Sequence, residues 1–377
     1  MRRFTRVMNQ KQEQYFNRFD RNILRLFGRA LRLGFLQISL VAFYIRAWLI
    51  QRQGIKRRAR QLRDGLKVPP LLIFSLTRRC NLNCRGCYSK ILHAGQDEEI
   101  RTERFNEILN EAQGLGISIV MLAGGEPLLR RDMLEIAARH KRAIYPVFTN
   151  GTLLDEGYLR FFSRNRHLIP VISLEGADAE TDARRGAGIF AGYRKLLPQL
   201  MKTGVFWGLS FTVNKQNFHS LISEELIREF IKDGCRLFFF VEYVPVQTET
   251  NHLALDAAQK IELTSRTEKL SRKYPGLFIA FPGDEEQYGG CLAAGRGFLH
   301  INPSGFAEPC PFAPLSDVNL RFSSLRDALA SPLMEKIRSA HDLLTESEGG
   351  CALWANKEFV ADLIHARTDS SVTQASQ

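Results

Sequence analysis

The chain reads as an α/β protein: a partial (β/α)6, TIM-like barrel with an N-terminal amphipathic helical arm and a small C-terminal α+β module. Three observations predict this. Between residues 71 and 244, apolar runs alternate six times with segments of helical period, the pattern of a parallel sheet covered by helices. Before them, Val68-Pro69-Pro70 forms a linker through which no helix continues. After them, cysteines and turn residues replace the alternation. The expected division is therefore an arm over 1–67, a barrel over 68–284, a cysteine-bearing module over 285–360, and a Ser/Thr/Gln-rich tail over 361–377, expected to be disordered.

The arm comes first. Phe16 to Leu49 lacks proline, and Phe16, Phe19, Ile23, Leu26, Phe27, Ala30 and Leu31 recur at three- and four-residue steps, with Arg18, Arg21, Arg25, Arg29 and Arg32 on another face. This predicts a basic amphipathic helix. Its apolar stretch between Arg32 and Arg46 is thirteen residues, short of the roughly 20 that cross a bilayer, and it lacks the form of a signal peptide. Three readings stand: a helix in the interface of an anionic membrane, with Tyr44 and Trp48 at headgroup level; a helix packed on the body; or an RNA-binding arm. The cluster Lys56-Arg-Arg-Ala-Arg60 suits either anionic partner.

In the body, strands are expected at Leu71–Thr77, Ile117–Leu122, Ile144–Thr149, Ile169–Leu174, Trp207–Val213 and Leu237–Val244. Helices are expected near Thr102–Gln113, Arg131–Arg139, Asp155–Arg164, Tyr193–Thr203 and Glu224–Asp233. In parallel barrels the chemistry gathers at the C-terminal strand ends, and every motif below lies there.

Charge and cysteine usage narrow the class. Of the net +12, residues 1–67 contribute seventeen Lys/Arg against three Asp/Glu, a net of +14, so the remaining 310 residues sum to −2. The body is not a nucleic-acid surface by charge, and the arm carries all the basic excess. Seven clustered cysteines in 377 residues argue against a secreted disulfide framework and for a reducing, cytoplasmic setting.

The first strand leads into Thr77-Arg-Arg-Cys-Asn-Leu-Asn-Cys-Arg-Gly-Cys-Tyr88. Cys80, Cys84 and Cys87 form a Cys-x3-Cys-x2-Cys run, three thiolates that can hold a cubane iron–sulfur cluster and leave one iron open. A zinc site or plain buried thiols are the alternatives. Zinc sites usually take four ligands, and His93 is the rival fourth. With the loops that follow, the run resembles the radical S-adenosylmethionine (SAM) superfamily. The resemblance covers roughly residues 70–355. It implies the barrel, a [4Fe–4S] cluster whose open iron chelates SAM, reductive cleavage of SAM to a 5′-deoxyadenosyl radical, and an external one-electron reductant such as flavodoxin or ferredoxin.

Further residues are carried over on matching motifs. Gly124, Gly125, Glu126 and Pro127, after the second strand, resemble the family's GGEP motif, which contacts the SAM amino group. The glycines allow close backbone approach, and Glu126 offers a carboxylate to an ammonium. Ser173 and Glu175 end the fourth strand where the family binds ribose hydroxyls, with Glu175 in a place more usually aspartate. Asn150 lines the same side or serves as turn chemistry in Thr149-Asn-Gly151. Thr181-Asp-Ala-Arg-Arg-Gly186 resembles a family loop whose role the sequence does not reveal. The residue before the third cysteine is often aromatic in the family and is Gly86 here, so Tyr88 could offer adenine a stacking face instead. Glu242 and Tyr243 are candidates by location only.

In the module, Cys291, Gly305, Cys310 and Cys351 follow a Cys-x13-Gly-x4-Cys…Cys order. This resembles the SPASM/Twitch domains that hold an auxiliary iron–sulfur cluster, here a second [4Fe–4S]. Trp354 stands where a further cysteine is frequent, so the fourth position is open or filled by a side chain such as His300. Three buried cysteines without metal are the alternative. Cys235 is left to the core. The resemblance implies an oxidoreductase or transferase, placed by the arm (residues 1–66) as peripheral at the inner face of the cell membrane. An apolar arm suggests a lipid, isoprenoid or membrane-bound substrate. SPASM-type modules suggest a peptide, although no peptide-recognition domain is visible before the barrel. A membrane-associated redox sensor or electron carrier is the non-enzymatic reading.

Overall fold

The computed structural model describes residues 20–21, 23–25, 28, 41–95, 97–281, 290–340, 344 and 351–365. The expectations for the arm before residue 41 and for the tail after residue 365 fall largely outside these residues.

One curled sheet organises the body. Its strands are β1 (Leu71–Ser75), β2 (Ile119–Ala123), β3 (Tyr145–Thr149), β4 (Leu168–Leu174), β5 (Gly208–Val213), β6 (Leu237–Glu242), β7 (Leu277–Phe281), β8 (Phe298–Ile301) and β9 (Ala307–Glu308). They are ordered β7-β6-β5-β4-β3-β2-β1-β8-β9, and every pair is parallel except β8–β9. Because β1 to β7 follow one another without reversal, each right-handed crossover lays its helix on the same face. The sheet therefore curls into part of a barrel with a concave inner side, as expected. Beyond the six expected strands, β7 extends one edge, and β8 continues the other by pairing with β1 from Leu71↔Phe298 to Phe74↔Ile301.

The strand sequences are nearly all apolar because one side of each meets helices. All five residues of β1 are buried. The half-buried positions of β2 to β6 (Met121, Ala123, Phe148, Ser173, Thr212 and Val241) instead line one cavity on the concave side. The covering helices have ordinary end signals. Asp155 accepts from Tyr158 N (2.8 Å), Ser223 caps from the side chain, and Gly116 (φ 103°) closes a helix in the left-handed region.

The arm's described helix, α1 (Val41–Arg63), runs past the expected end at Leu49 and takes in the basic cluster. It packs on the body. Tyr44, expected at headgroup level, is 1% exposed and meets Phe206 edge-on at 5.6 Å. Trp48 lies under Arg52 at 4.7 Å. Arg57 donates to Gln113 O (2.9 Å), while buried Arg58 donates to Gly116 O and Ser118 Oγ and pairs with Asp20. Two arginines of the cluster thus cap the carbonyl end of α2 (Thr102–Leu115), where the helix dipole favours a cation. No described helix is long and apolar enough to cross a membrane.

Candidate active site: two cysteine triads on one cavity

The cavity on the concave side, about 260 Å³, is walled by Cys80, Cys84 and Cys87 and also by Cys291, Cys310 and Cys351. All six are free thiols. The triads are more than 200 residues apart in sequence. Pairing β8 to β1 brings them together, since β1 leads into the first and the β8–β9 hairpin into Cys310.

The first triad sits on a loop fixed from both sides. Gly125 N donates to Thr77 O (2.7 Å) and Glu126 N to Arg79 O (2.8 Å), lacing the loop after β2 to the cysteine loop. The double glycine is required by this approach: a Cβ at Gly125 would stand 2.1 Å from Arg79 O, and one at Gly124 2.6 Å from Thr77 O, with φ at +121°. Cys80 Sγ accepts from Leu82 N (3.5 Å) and Asn150 Nδ2 (3.9 Å). Asn150 Nδ2 also reaches Asn81 Oδ1 (2.8 Å), so Asn150 braces the cysteine loop while lining the cavity. Burial pushes the Cys80 and Cys84 thiols above their ordinary pKa, while the Arg185 and Arg184 guanidiniums pull Cys84 the other way. Binding to iron, which takes the thiolate, relieves that cost.

Two carboxylates expected to meet SAM are buried among protein groups. Glu126 is 0% exposed. It accepts from Thr149 Oγ1 (2.7 Å), Asn150 N (2.8 Å) and Leu128 N (3.1 Å), which ties β3 to the loop after β2. Burial raises its pKa despite these bonds. Buried Pro127 follows as the start of a 3-10 turn. Glu175, 1% exposed, binds Arg185 Nε (2.8 Å) and Arg184. Both arginines line the cavity with Ser173, and Arg184 also donates to Thr212 Oγ1 (2.9 Å). A buried carboxylate thus aims two guanidiniums at the first triad. The signal was present in sequence as Arg184-Arg185-Gly186 nine residues after Glu175, but only the fold shows where that loop lands. Ser210 and Thr212, also on the wall, carried no sequence signal.

Tyr88 and Tyr243 both line the cavity beside the cysteine loop. Gly86 has φ +62°, and a Cβ there would meet Tyr243 Oη at 2.6 Å. Tyr243, named by location alone, thus occupies the space into which a side chain at Gly86 would project. Tyr88 packs on Phe312 at 4.8 Å, bridging the first triad to the module.

In the module, Cys291, Cys310 and Cys351 are all buried. Burial pushes the Cys310 thiol up strongly, and a hydrogen bond to Cys351 adds to it. His93 and His300, the alternative fourth ligands, do not line the cavity. They meet each other instead, ring centroids 5.4 Å apart. Cys235 is fully buried, with Sγ 3.4 Å from Leu237 O, a core residue as expected.

Residues 74–223, which span β1 to the segment after β5, match the radical SAM superfamily. That stretch is a domain of that superfamily. Its members bind a [4Fe–4S] cluster and SAM, and its relatives are enzymes. Fe-coproporphyrin III synthase of Methanosarcina barkeri is 30% identical over 231 residues, covering 56% of this chain and 57% of that protein, so the match spans little more than half of this relative. PqqA peptide cyclase of Granulibacter bethesdensis is 26% identical over 270 residues, covering 69% of this chain and 72% of the other. The crystal structure of Streptococcus suis SuiB bound to precursor peptide SuiA superposes with a TM-score of 0.61 at 20% identity, covering 80% of this chain and 76% of that one. It shares the fold.

Proposed function

We propose that this enzyme is a radical SAM oxidoreductase or transferase with two [4Fe–4S] clusters facing a single apolar cavity, and that its substrate is a small molecule with a large apolar body. A cluster on Cys80, Cys84 and Cys87, fed by an external reductant of the flavodoxin or ferredoxin type, supplies the electron that cleaves SAM. The opening of all six cysteines onto one cavity carries the reading, because a bound molecule there touches both clusters' surroundings at once.

The chain's own residues do the rest. Leu82 N and Asn150 Nδ2 hydrogen-bond Cys80 Sγ and stabilise its thiolate. Gly124 and Gly125 let the loop after β2 lie against the cysteine loop, so its backbone borders the methionyl end of SAM. Arg184, Arg185 and Ser173 hold the anionic end of SAM, guanidiniums being suited to a carboxylate, and Glu175 positions both arginines. Glu126 and Pro127 shape the loop rather than touch the ligand. Phe148, Phe281, Phe298 and Phe312 wall the cavity and keep water and stray hydrogen donors from the reacting carbon. Cys291, Cys310 and Cys351 hold the auxiliary cluster.

The phenylalanine walls favour a lipid, isoprenoid or porphyrin over a polar chain, and the coproporphyrin-forming relative points the same way. A peptide substrate is the second reading, favoured by the PqqA peptide cyclase match over 72% of that protein. The arm adds an anionic membrane surface, supported by the basic excess of residues 1–67 and by Ile45 and Leu49, 47% and 44% exposed on α1. Flotation with and without anionic vesicles tests this, and a chain that stays with the unbound fraction at low salt overturns it.

Anaerobic reconstitution with iron, sulfide, dithionite and SAM tests the enzyme. About eight irons per chain and release of 5′-deoxyadenosine are expected, falling to about four irons when Cys291, Cys310 and Cys351 become serine. An intact cluster that never cleaves SAM supports an electron carrier instead. Stimulation of 5′-deoxyadenosine release by lipid or porphyrin fractions, and not by peptides, decides the substrate class.

A further inference from the structure

Outside the cavity, one buried group of side chains has the composition and spacing of a single-ion site. His93, His300 and Glu308 place one ligand atom each within 4.8 Å of one another, and their exposures are 7%, 0% and 2%. His300 Nδ1 lies 2.7 Å from Glu308 Oε2, and His93 Nδ1 lies 3.8 Å from Glu308 Oε1. Ligands of a tetrahedral zinc ion at about 2.0–2.1 Å stand about 3.3 Å apart, between these two separations.

The outer hydrogen bonds are those a metal site requires. His93 Nε2 lies 3.0 Å from Pro311 O. A carbonyl only accepts, so Nε2 carries the proton and the neutral ring turns a bare Nδ1 towards the carboxylate. A lone pair facing a carboxylate in a buried setting is unfavourable unless a cation lies between them. His300 Nε2 is 2.8 Å from Ser75 Oγ, which can accept its proton and free Nδ1. Asn302 Nδ2 holds Glu308 Oε1 at 2.7 Å. Each imidazole thus has a partner for its outer N–H, the arrangement that orients metal-binding histidines.

There is also a way in. A second cavity of about 280 Å³ has His93, Asn302 and Glu308 on its wall, with Arg78 and Asp97 beside them. It leaves room for water as a fourth ligand.

We propose that His93, His300 and Glu308 bind one divalent transition-metal ion, with Zn2+ the best fit to two imidazoles and a carboxylate. The ion clamps four segments: the end of β1 through Ser75, the segment after the cysteine loop through His93, β8 through His300 and β9 through Glu308. It thereby fixes the spacing between the loop of Cys80–Cys87 and the hairpin of Cys310. The proposal does not rest on the assignment of either cluster.

The test uses full-length protein, purified anaerobically with its clusters from zinc-supplemented cells. Elemental analysis is expected to give one zinc per chain, and the zinc X-ray absorption edge to show nitrogen and oxygen neighbours without sulfur. Glu308→Gln and His93→Phe should lose the zinc, the triple serine variant of Cys291, Cys310 and Cys351 should retain it, and Ser75→Ala should weaken Zn2+ binding about 10–100-fold. Iron in the same nitrogen and oxygen surroundings would keep the site and change the metal. A chain that takes up no added Zn2+, or zinc with sulfur neighbours, overturns the proposal. The wild-type spectrum alone suffices for that, even if the buried variants fail to fold.

Discussion

Replacing Gly125 by alanine adds one methyl group at the tightest point between two functional loops. That methyl would lie 2.1 Å from Arg79 O, 2.6 Å from Arg79 C and 2.7 Å from Arg78 O, where ordinary contact begins at 3.4 Å. The obstacle is backbone on both sides, so no side chain can swing away. Either the cysteine loop moves by about an ångström, or the hydrogen bonds from Gly125 N to Thr77 O and from Glu126 N to Arg79 O are lost. Overpacking costs about 1–3 kcal/mol and each lost hydrogen bond about 1 kcal/mol. A combined loss of about 2–4 kcal/mol lowers the melting temperature by roughly 2–5 °C in a chain of this size. Because Cys80 follows Arg79 directly, an ångström of movement should also lower SAM cleavage by on the order of 100-fold. Anaerobic thermal melts, iron content and 5′-deoxyadenosine release read these effects together. Gly114→Ala is the control: it lies in α2 with nothing within 4 Å of its added Cβ, and it should gain about 0.5–1 kcal/mol. If Gly125→Ala melts with the wild type, binds the same iron and cleaves SAM at the same rate, the lacing of the two loops does not matter as argued.

Glu175→Gln should leave iron content unchanged but weaken SAM binding about 10–100-fold, because Arg184 and Arg185 lose the carboxylate that aims them. Titration of SAM into the reduced protein, followed by EPR, reads it, and unchanged affinity refutes the positioning role. Gly86→Ala should lower iron content by pressing on Tyr243 Oη, and adding Tyr243→Phe should restore part of it. A double variant no better than the single one places the fault elsewhere. Burial lowers the His167 pKa from 6.5 to about 4, so below pH 6.5 the unfolded chain takes up a proton that the folded chain refuses. Stability is therefore full above pH 6.5 and falls as pH drops towards 4, by about 1 kcal/mol at pH 5.5. His167→Gln should flatten that slope in denaturant titrations, and parallel wild-type and variant slopes would refute it.

The elements were legible because their signals are local. Arg131–Arg139 appears with the expected bounds, and the expected strands from Leu71 to Val244 appear within about two residues at each end, since a fully buried parallel strand must be apolar throughout. Cys80, Cys84 and Cys87 were legible for the same reason, being neighbours in the chain. The arm was harder. An amphipathic helix shows which face is apolar but not what covers it, and Tyr44 and Arg58 turned out to be covered by the body. Glu126 and Glu175 show the same limit: a motif gives the residue, and only the surroundings give the direction of its side chain.

The sequence by itself determined the strand–helix alternation, the first cysteine triad and the presence of a second one, because periodicity and close spacing are properties of a short stretch of chain. Only the tertiary structure decided that both triads open on one cavity, that Arg184 and Arg185 point into it while Glu126 does not, and that His93 and His300 meet at Glu308. The first and last of these depend on pairing β8 with β1 across more than 200 residues, and the second on contacts between loops that follow different strands, none of it written in a single segment.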